Sequence, residues 1–225
     1  MCGRYLLTAT PEEIEALFSY LDGEPFPPRY NIAPTQPIAI VRMLHGSRRF
    51  SLVRWGLVPR WVEDPGDFPL LINARAETLT EKPAFRDAAR YRRCLVPASG
   101  FYEWRRRSGG AKAPFWFSPR AGHPVAFAGL WETWMDRHGS EIDSACIVTT
   151  DSNAVVGAIH DRMPAVIAPE DFSLWLDGTD QEALALLRPA DNSTFEAIEI
   201  GSRVNSVRYD EPSLLEPPAQ KDLFG

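Results

Sequence analysis

The sequence predicts an α+β fold: one domain built on a strongly bent, barrel-like and mainly antiparallel sheet with short helices at its periphery. Three observations predict it. Strand-like runs recur through most of the chain, the helical signals between them are short, and no internal repeat divides the 225 residues.

Thr10-Pro11-Glu12-Glu13 opens the first helix, with threonine at the N-cap, proline at the first helical position and glutamate closing a capping box. Ile14, Leu17, Phe18 and Leu21 follow at helical spacing, and Gly23 ends the run. Beyond a proline-rich loop, Ile38–Leu44 and Phe50–Trp55 read as strands around the turn His45-Gly46-Ser47. Pro83 starts a second helix carrying Phe85, Ala88, Ala89 and Tyr91. Strands are expected at Cys94–Val96, Gly100–Arg106, Pro114–Phe117, Val125–Trp131 and Ser144–Thr150, with Gly109-Gly110 as a turn. Asp151–Ile159 reads as a short helix, as do Glu170–Leu176 and Gln181–Leu187, and Phe195–Ile200 reads as a strand. The domain is expected to span residues 1–209, leaving 210–225 as a polar, proline-containing flexible tail.

Composition narrows the function. Hydrophobic residues make up 44% of the chain, which is ample for a core. No apolar run approaches the roughly 18 residues of a membrane span, and the N-terminus lacks a signal-peptide layout, so a cytoplasmic protein is expected. The cysteines (Cys2, Cys94 and Cys146) form no CxxC pair, which argues against a disulfide framework or thiolate metal site. Cys94 and Cys146 lie in apolar strand-like runs and read as core residues. No H-x-x-x-H or carboxylate cluster suggests a metal, and no cofactor is expected. The net charge of −6 hides a division: Arg42–Arg107 carries a local +7 and the remainder −13. With Trp55, Trp61, Phe101, Tyr102 and Trp104 interleaved, the basic stretch suits phosphate contacts and base stacking, or an arginine-rich surface over an aromatic core.

Cys2 carries chemistry by its position. A cysteine is small enough to permit removal of Met1, and the new terminus then bears an α-amine and a β-thiol on adjacent carbons. An amine with an ordinary pKa of about 7.7–8.0 is partly neutral at cellular pH, unlike a lysine near about 10.4. It can attack an aldehyde to form an imine, and the thiol can close on the same carbon to give a thiazolidine. An internal cysteine cannot, because its nitrogen is an amide. The dipeptide alone favours an incidental cysteine beside a retained or trimmed methionine.

Cys2-Gly3-Arg4-Tyr5 is followed by Tyr30-Asn31-Ile32-Ala33-Pro34-Thr35, Trp55-Gly56-Leu57-Val58-Pro59 and Asn73-Ala74-Arg75-Ala76-Glu77-Thr78. The run Cys94–Trp104, Ile159-His160-Asp161-Arg162-Met163-Pro164 and Val204-Asn205 complete the order. In this order the motifs resemble the SOS response-associated peptidase (SRAP) family of abasic-site shields, over nearly the whole chain and with no departure at the motif positions. The resemblance implies catalytic positions at Cys2, Asn73, Glu103 and His160.

Each position also has a reading of its own. If Asn73-Ala74-Arg75 is extended, Asn73 and Arg75 share a face, suiting an amide that orients the nucleophile beside a guanidinium that holds phosphate. The alternative is a loop asparagine bonding its own backbone. Glu103 alternates with Phe101 between Tyr102 and Trp104, where apolar surroundings raise a carboxyl pKa toward that of a general acid; the alternative is an ion pair with a neighbouring arginine. His160, in a polar turn with Asp161 and Arg162, can transfer protons near neutrality or simply cap the turn. The resemblance suggests for it a role in β-elimination or ring reopening.

Arg4, Arg75 and Arg162 are candidates for gripping the DNA backbone, and Trp55 with the Asn31–Pro34 loop for a wall against which bases stack. The lack of a groove-reading helix favours single strands read without sequence preference. Gln220-Lys221-Asp222-Leu223-Phe224 resembles the bacterial sliding-clamp peptide, so Gln220, Asp222, Leu223 and Phe224 are candidate clamp contacts. The expectation is therefore covalent capture of abasic sites in single-stranded DNA by a nucleoid-associated monomer, with abasic-site lyase and autoproteolytic activity as companions. Two alternatives remain: a thiol peptidase using Cys2 and His160, and a non-covalent single-strand reader.

Overall fold

The structure is a computed structural model that describes residues 2–21, 23 and 26–218. In chain order the described elements are β1 (Tyr5–Leu7), α1 (Pro11–Phe18), β2 (Arg29–Ile32), β3 (Pro37–Leu44), β4 (Ser47–Trp55), β5 (Asn73–Arg75), α2 (Pro83–Tyr91), β6 (Arg93–Ala98) and β7 (Gly100–Arg106). They continue as β8 (Lys112–Pro119), β9 (Val125–Met135), β10 (Glu141–Asp151), α3 (Ala154–Gly157), β11 (Arg162–Pro164), β12 (Val166–Ile167), α4 (Phe172–Asp177), α5 (Asp180–Ala185) and β13 (Phe195–Glu199).

The bend expected in the sheet is complete. β10 pairs with β4, β4 with β3, β3 with β6, β6 with β9, and β9 again with β10, so these strands close a ring. Closure removes the exposed edges that an open sheet must manage. All of these pairings are antiparallel except β4 with β10. The β3–β4 hairpin turns on His45 and Gly46, with φ of 51° and 73°, the backbone of a two-residue turn whose twist matches the strands.

A second sheet, in the order β13-β8-β7-β1-β2, lies against the barrel. Its inner face sends Tyr5 and Phe101 onto Phe127 of β9, at ring separations of 6.3 and 6.0 Å. Phe101 also stacks on Phe117 at 4.7 Å. Its outer face carries Leu6 and Tyr102, which are covered by Ile200, Val204 and Leu214 in a second small core.

β5 is where the site enters the barrel. β4 leaves β10 at Gly56 (φ 135°), whose N–H still reaches the Ala145 carbonyl. The chain makes an excursion and returns, and Asn73–Arg75 then runs parallel to Ile147–Thr149 of the same β10. Its central residue Ala74 is fully buried and Arg75 is exposed, the alternation expected of an extended segment.

The capping box on α1 forms: the Thr10 side chain accepts from Glu13 N–H, and Glu13 accepts from Thr10 N–H at 2.8 Å. The helix ends earlier than expected, at Phe18, because Ser19 takes a left-handed φ of 51°. The expected helix over 151–159 shrinks to Ala154–Gly157, since β10 continues through Asp151 and Asn153 caps the turn by accepting from Val156 N–H. The tail also begins later than residue 210. Asp210 accepts the N–H groups of Tyr30 (2.5 Å) and Asn31 (3.0 Å), and Leu214 is buried, so 210–216 belongs to the domain. The candidate clamp peptide at Gln220, Asp222, Leu223 and Phe224 lies outside the described residues.

Gly100 joins β6 to β7 at φ 131°, and a Cβ there would lie 2.4 Å from the Phe117 carbonyl oxygen. Gly100→Ala is expected to cost about 2–3 kcal/mol in urea unfolding, because both the dihedral and the approach of β8 must give. Gly201→Ala, where nothing lies within 4 Å of the added carbon, is expected to be close to neutral.

Candidate active site

The site forms on the seam between the barrel and the second sheet. Cys2 precedes β1, and Glu103 stands on β7; both belong to the second sheet. Asn73 comes from β5 and His160 from the turn between α3 and β11, both on the barrel side. Asn73 Nδ2 crosses the seam and donates to the Cys2 carbonyl at 2.9 Å. Because that partner is an acceptor, the amide orientation is determined, and Oδ1 faces the other way. Asn73 Oδ1 is buried with no hydrogen-bond partner among the described residues. Leaving such an acceptor unmatched costs about 1–3 kcal/mol.

Cys2 is fully buried, and its thiol donates to the Arg4 carbonyl at 3.8 Å. Burial pushes the thiol pKa far above its ordinary value, and the Glu103 carboxylate pushes it further. The resting thiol is thus neutral. Glu103 is itself only 5% exposed, and burial raises its pKa while His160 pulls it back. A raised carboxyl pKa in a low-dielectric site is the direction a general acid requires.

His160 faces this acid with a defined nitrogen. His160 Nδ1 meets both a donor, the Arg162 N–H at 3.0 Å, and an acceptor, the Arg162 carbonyl at 3.3 Å. Nε2 lies 3.8 Å from Glu103 Oε2, too long for a direct hydrogen bond yet close enough for the imidazole to bias the carboxyl's charge. Nδ1 is also 3.1 Å from Asp161 Oδ1, which would suit a protonated Nδ1. That carboxylate is 88% exposed, and water screens it.

From Glu103 and His160 an open groove of about 470 Å³ extends past Trp104, Arg106, Lys112 and Asn205. Trp104 Nε1 donates to Asn205 Oδ1 at 2.7 Å, and the Arg4 guanidinium lies 5.8 Å from the Trp104 ring.

The family model described as SOS response associated peptidase (SRAP) matches residues 1–207. The chain belongs to the SRAP family. It is 38% identical over 222 residues to the abasic site processing protein YoqW of Bacillus subtilis, covering 96% of this chain and 99% of that one. It is 30% identical over 263 residues to the abasic site processing protein HMCES of Gallus gallus, covering 96% of this chain and 78% of that one. A crystal structure of a protein from Bacteroides thetaiotaomicron superposes with a TM-score of 0.85 at 26% identity, over 96% of this chain and 99% of that one.

Of the residues read as DNA contacts, the SRAP fold turns several inward. Trp55 is fully buried, packs edge-on against Tyr5 at 5.3 Å and donates its indole N–H to the Ile72 carbonyl. It offers no face to a base; it braces the strand that carries Asn73. Asn31 is buried too: its Nδ2 serves the carbonyls of Val204, Ser206 and Tyr209, and its Oδ1 accepts from Arg4. Arg162 is held by Glu77 in a two-pronged pair, by Asp151 at 2.6 Å and by the Thr149 carbonyl. These partners leave it a structural tie rather than a phosphate grip. Arg4 is partly exposed, bonding Asn31 and the Val204 carbonyl, while Arg75 is exposed beside Asn73 and Pro34 is half-exposed. Much of the basic stretch is likewise internal: Arg42 pairs with Asp143, Arg92 with Glu132, and Arg93 serves backbone carbonyls. The sequence reading assigned no role to Asn205, Arg106 or Lys112 in the groove. The run Arg105-Arg106-Arg107 was the available signal, but alternation on a strand hides which arginine faces the site.

Glu103→Gln tests the raised acid through stability. Where both folded and unfolded carboxyls are protonated, in acid, the burial of Glu103 carries no ionisation cost. As pH rises through the unfolded value and then the raised folded one, that cost appears and stability is lost. The variant is therefore expected to melt close to the parent at pH 4 and above it at pH 8. Equal gaps at both pH values in thermal unfolding would contradict the raised pKa.

Proposed function

We propose that this chain captures abasic sites in single-stranded DNA covalently, through Cys2 after removal of Met1. The observation that carries the reading is the placement of Cys2. Its carbonyl is held by Asn73 at 2.9 Å, and its buried thiol lies within the electrostatic reach of Glu103, which itself lines a groove together with His160. The naming of YoqW and HMCES as abasic site processing proteins supports the same substrate.

The freed Cys2 amine attacks C1′ of the ring-opened deoxyribose. Glu103 protonates the departing oxygen, one water leaves, and an imine forms. The thiol sulfur then bonds to C1′ as its proton passes to the nitrogen, closing the thiazolidine. The unmatched Asn73 Oδ1 suits the role of steadying the amine N–H. Where the ring does not close, His160 is placed to remove a proton next to the imine carbon, giving β-elimination and strand cleavage. Autoproteolytic release of residues before Cys2 is the corresponding reading of the family's peptidase name.

A thiol peptidase needs a thiolate, and the buried Cys2 thiol is pushed the other way. A non-covalent reader needs neither the thiol nor a free amine. Among the described residues no helix is long and apolar enough to cross a membrane, and the nucleoid is the proposed place of action.

Matured protein incubated with single-stranded DNA bearing one abasic site is expected to give a heat-stable adduct whose mass is the sum of the partners less one water. Cys2→Ala is expected to give only a borohydride-trappable imine, and an N-terminally extended chain nothing. An adduct in the extended chain would defeat the thiazolidine route; binding without any adduct would favour the reader. Glu103→Gln is expected to slow capture by about 10²-fold. In the parent, the rate is expected to rise as the amine deprotonates near about pH 7.7–8.0 and to fall once Glu103 loses its proton; in Glu103→Gln the alkaline fall should be absent.

A further inference from the structure

The β7–β8 hairpin is neutralised on one face and not on the other. Arg105 and Arg107 both meet Glu199 of β13, Arg105 at 3.6 Å and Arg107 in closer contact. Arg105 is further settled over the Phe115 ring at 4.6 Å. Arg106 and Lys112 are direct cross-strand partners, so their side chains leave the same face. Both are exposed, and among the described residues neither has a carboxylate partner. Like charges placed directly opposite one another destabilise an antiparallel pair. Stability of the fold therefore gives no reason for this pair of cations.

Their location supplies one. Both line the groove that starts at Glu103 and His160. Arg106 lies three residues beyond Glu103 on an extended strand, about 10 Å away, past the reach of the reacting sugar. Two adjacent unmatched cations there suit an anion that is tethered to the substrate and recurs along it.

We propose that Arg106 and Lys112 form a clamp for the phosphodiester backbone flanking the captured nucleotide, setting strand affinity rather than the chemistry at Cys2. The proposal rests on the abasic-site reading above. A monodentate lysine beside a forked guanidinium can hold one phosphate between them or two in succession.

The test uses the full chain carrying Arg106→Gln and Lys112→Gln together, with Arg105→Gln and Arg107→Gln together as the control. Binding to an oligothymidylate containing an unreactive tetrahydrofuran abasic analogue is titrated across salt concentrations. Capture is timed separately on a reactive long strand and on free 2-deoxyribose, which offers the aldehyde with no phosphodiester. The 106/112 variant is expected to bind the long strand about tenfold more weakly at low salt, with the salt slope reduced by about 1.4, or 0.7 per lost contact. Its capture of the long strand should lose in KM, and its reaction with free 2-deoxyribose should match the parent. Its thermal midpoint should equal or exceed the parent's, since a repulsive pair is gone, which separates the clamp from misfolding. An unchanged salt slope, or an equal loss in the 105/107 control, would overturn the clamp. If the parent binds with the full slope but forms no adduct, the abasic-capture reading fails while the clamp is still judged by the slope.

Discussion

The hydrogen bond from Asn73 Nδ2 to the Cys2 carbonyl spans two sheets with different origins in the chain. Cys2 reaches it as the lead-in to β1, which pairs with β7 and β2. Asn73 reaches it because β5 takes over alongside β10 where β4 departs. Were the second sheet to shift on the barrel, Cys2 and Glu103 would move together and Asn73 and His160 would stay behind. The aromatic contacts of Tyr5 with Trp55 and of Phe101 with Phe127 oppose such a shift, since close-packed rings forfeit contact on small displacements.

Buried polar groups fix the rest of the frame. Arg162 ties β11 to β10 and to Glu77 just beyond β5, so the turn bearing His160 and the strand bearing Asn73 share one anchor. Asn31 gathers three carbonyls of the 204–209 segment and holds them against β2, which fixes Asn205 beneath Trp104. Arg93 does the same for the helices, donating to the carbonyls of Ala89, Arg90, Trp175 and Gly178. Each removal would strand several acceptors, so these side chains are costly to replace. Residues with the chemistry of DNA contacts are thus used to position the ones that act.

The site raises the pKa of both of its acids by the same means. Burial raises both the Cys2 thiol and the Glu103 carboxyl, and each group's charge would oppose the other's. A neutral thiol is a poor first nucleophile, whereas an amine with an ordinary pKa is not. The order of the proposed capture, amine first and sulfur second, rests on that environment.

The sequence by itself determined the mixed α+β class, the capping box at Thr10–Glu13, the hairpin at His45-Gly46 and the membership that its ordered motifs announce. These are local features, written in residue periodicity, turn residues and motif order. The short strands β1, β2, β5, β11 and β12 were not legible, because two to four residues are too few to show alternation. Nor could sequence say which arginines are internal: Arg162 and Arg106 look alike until Glu77 and Asp151 are found beside one and an open groove beside the other. Trp55 was misread for the same reason, its burial depending on Tyr5 and Ile72 from distant parts of the chain. Only the tertiary structure decided these matters, because desolvation and charge pairing depend on neighbours in space and not on neighbours in sequence.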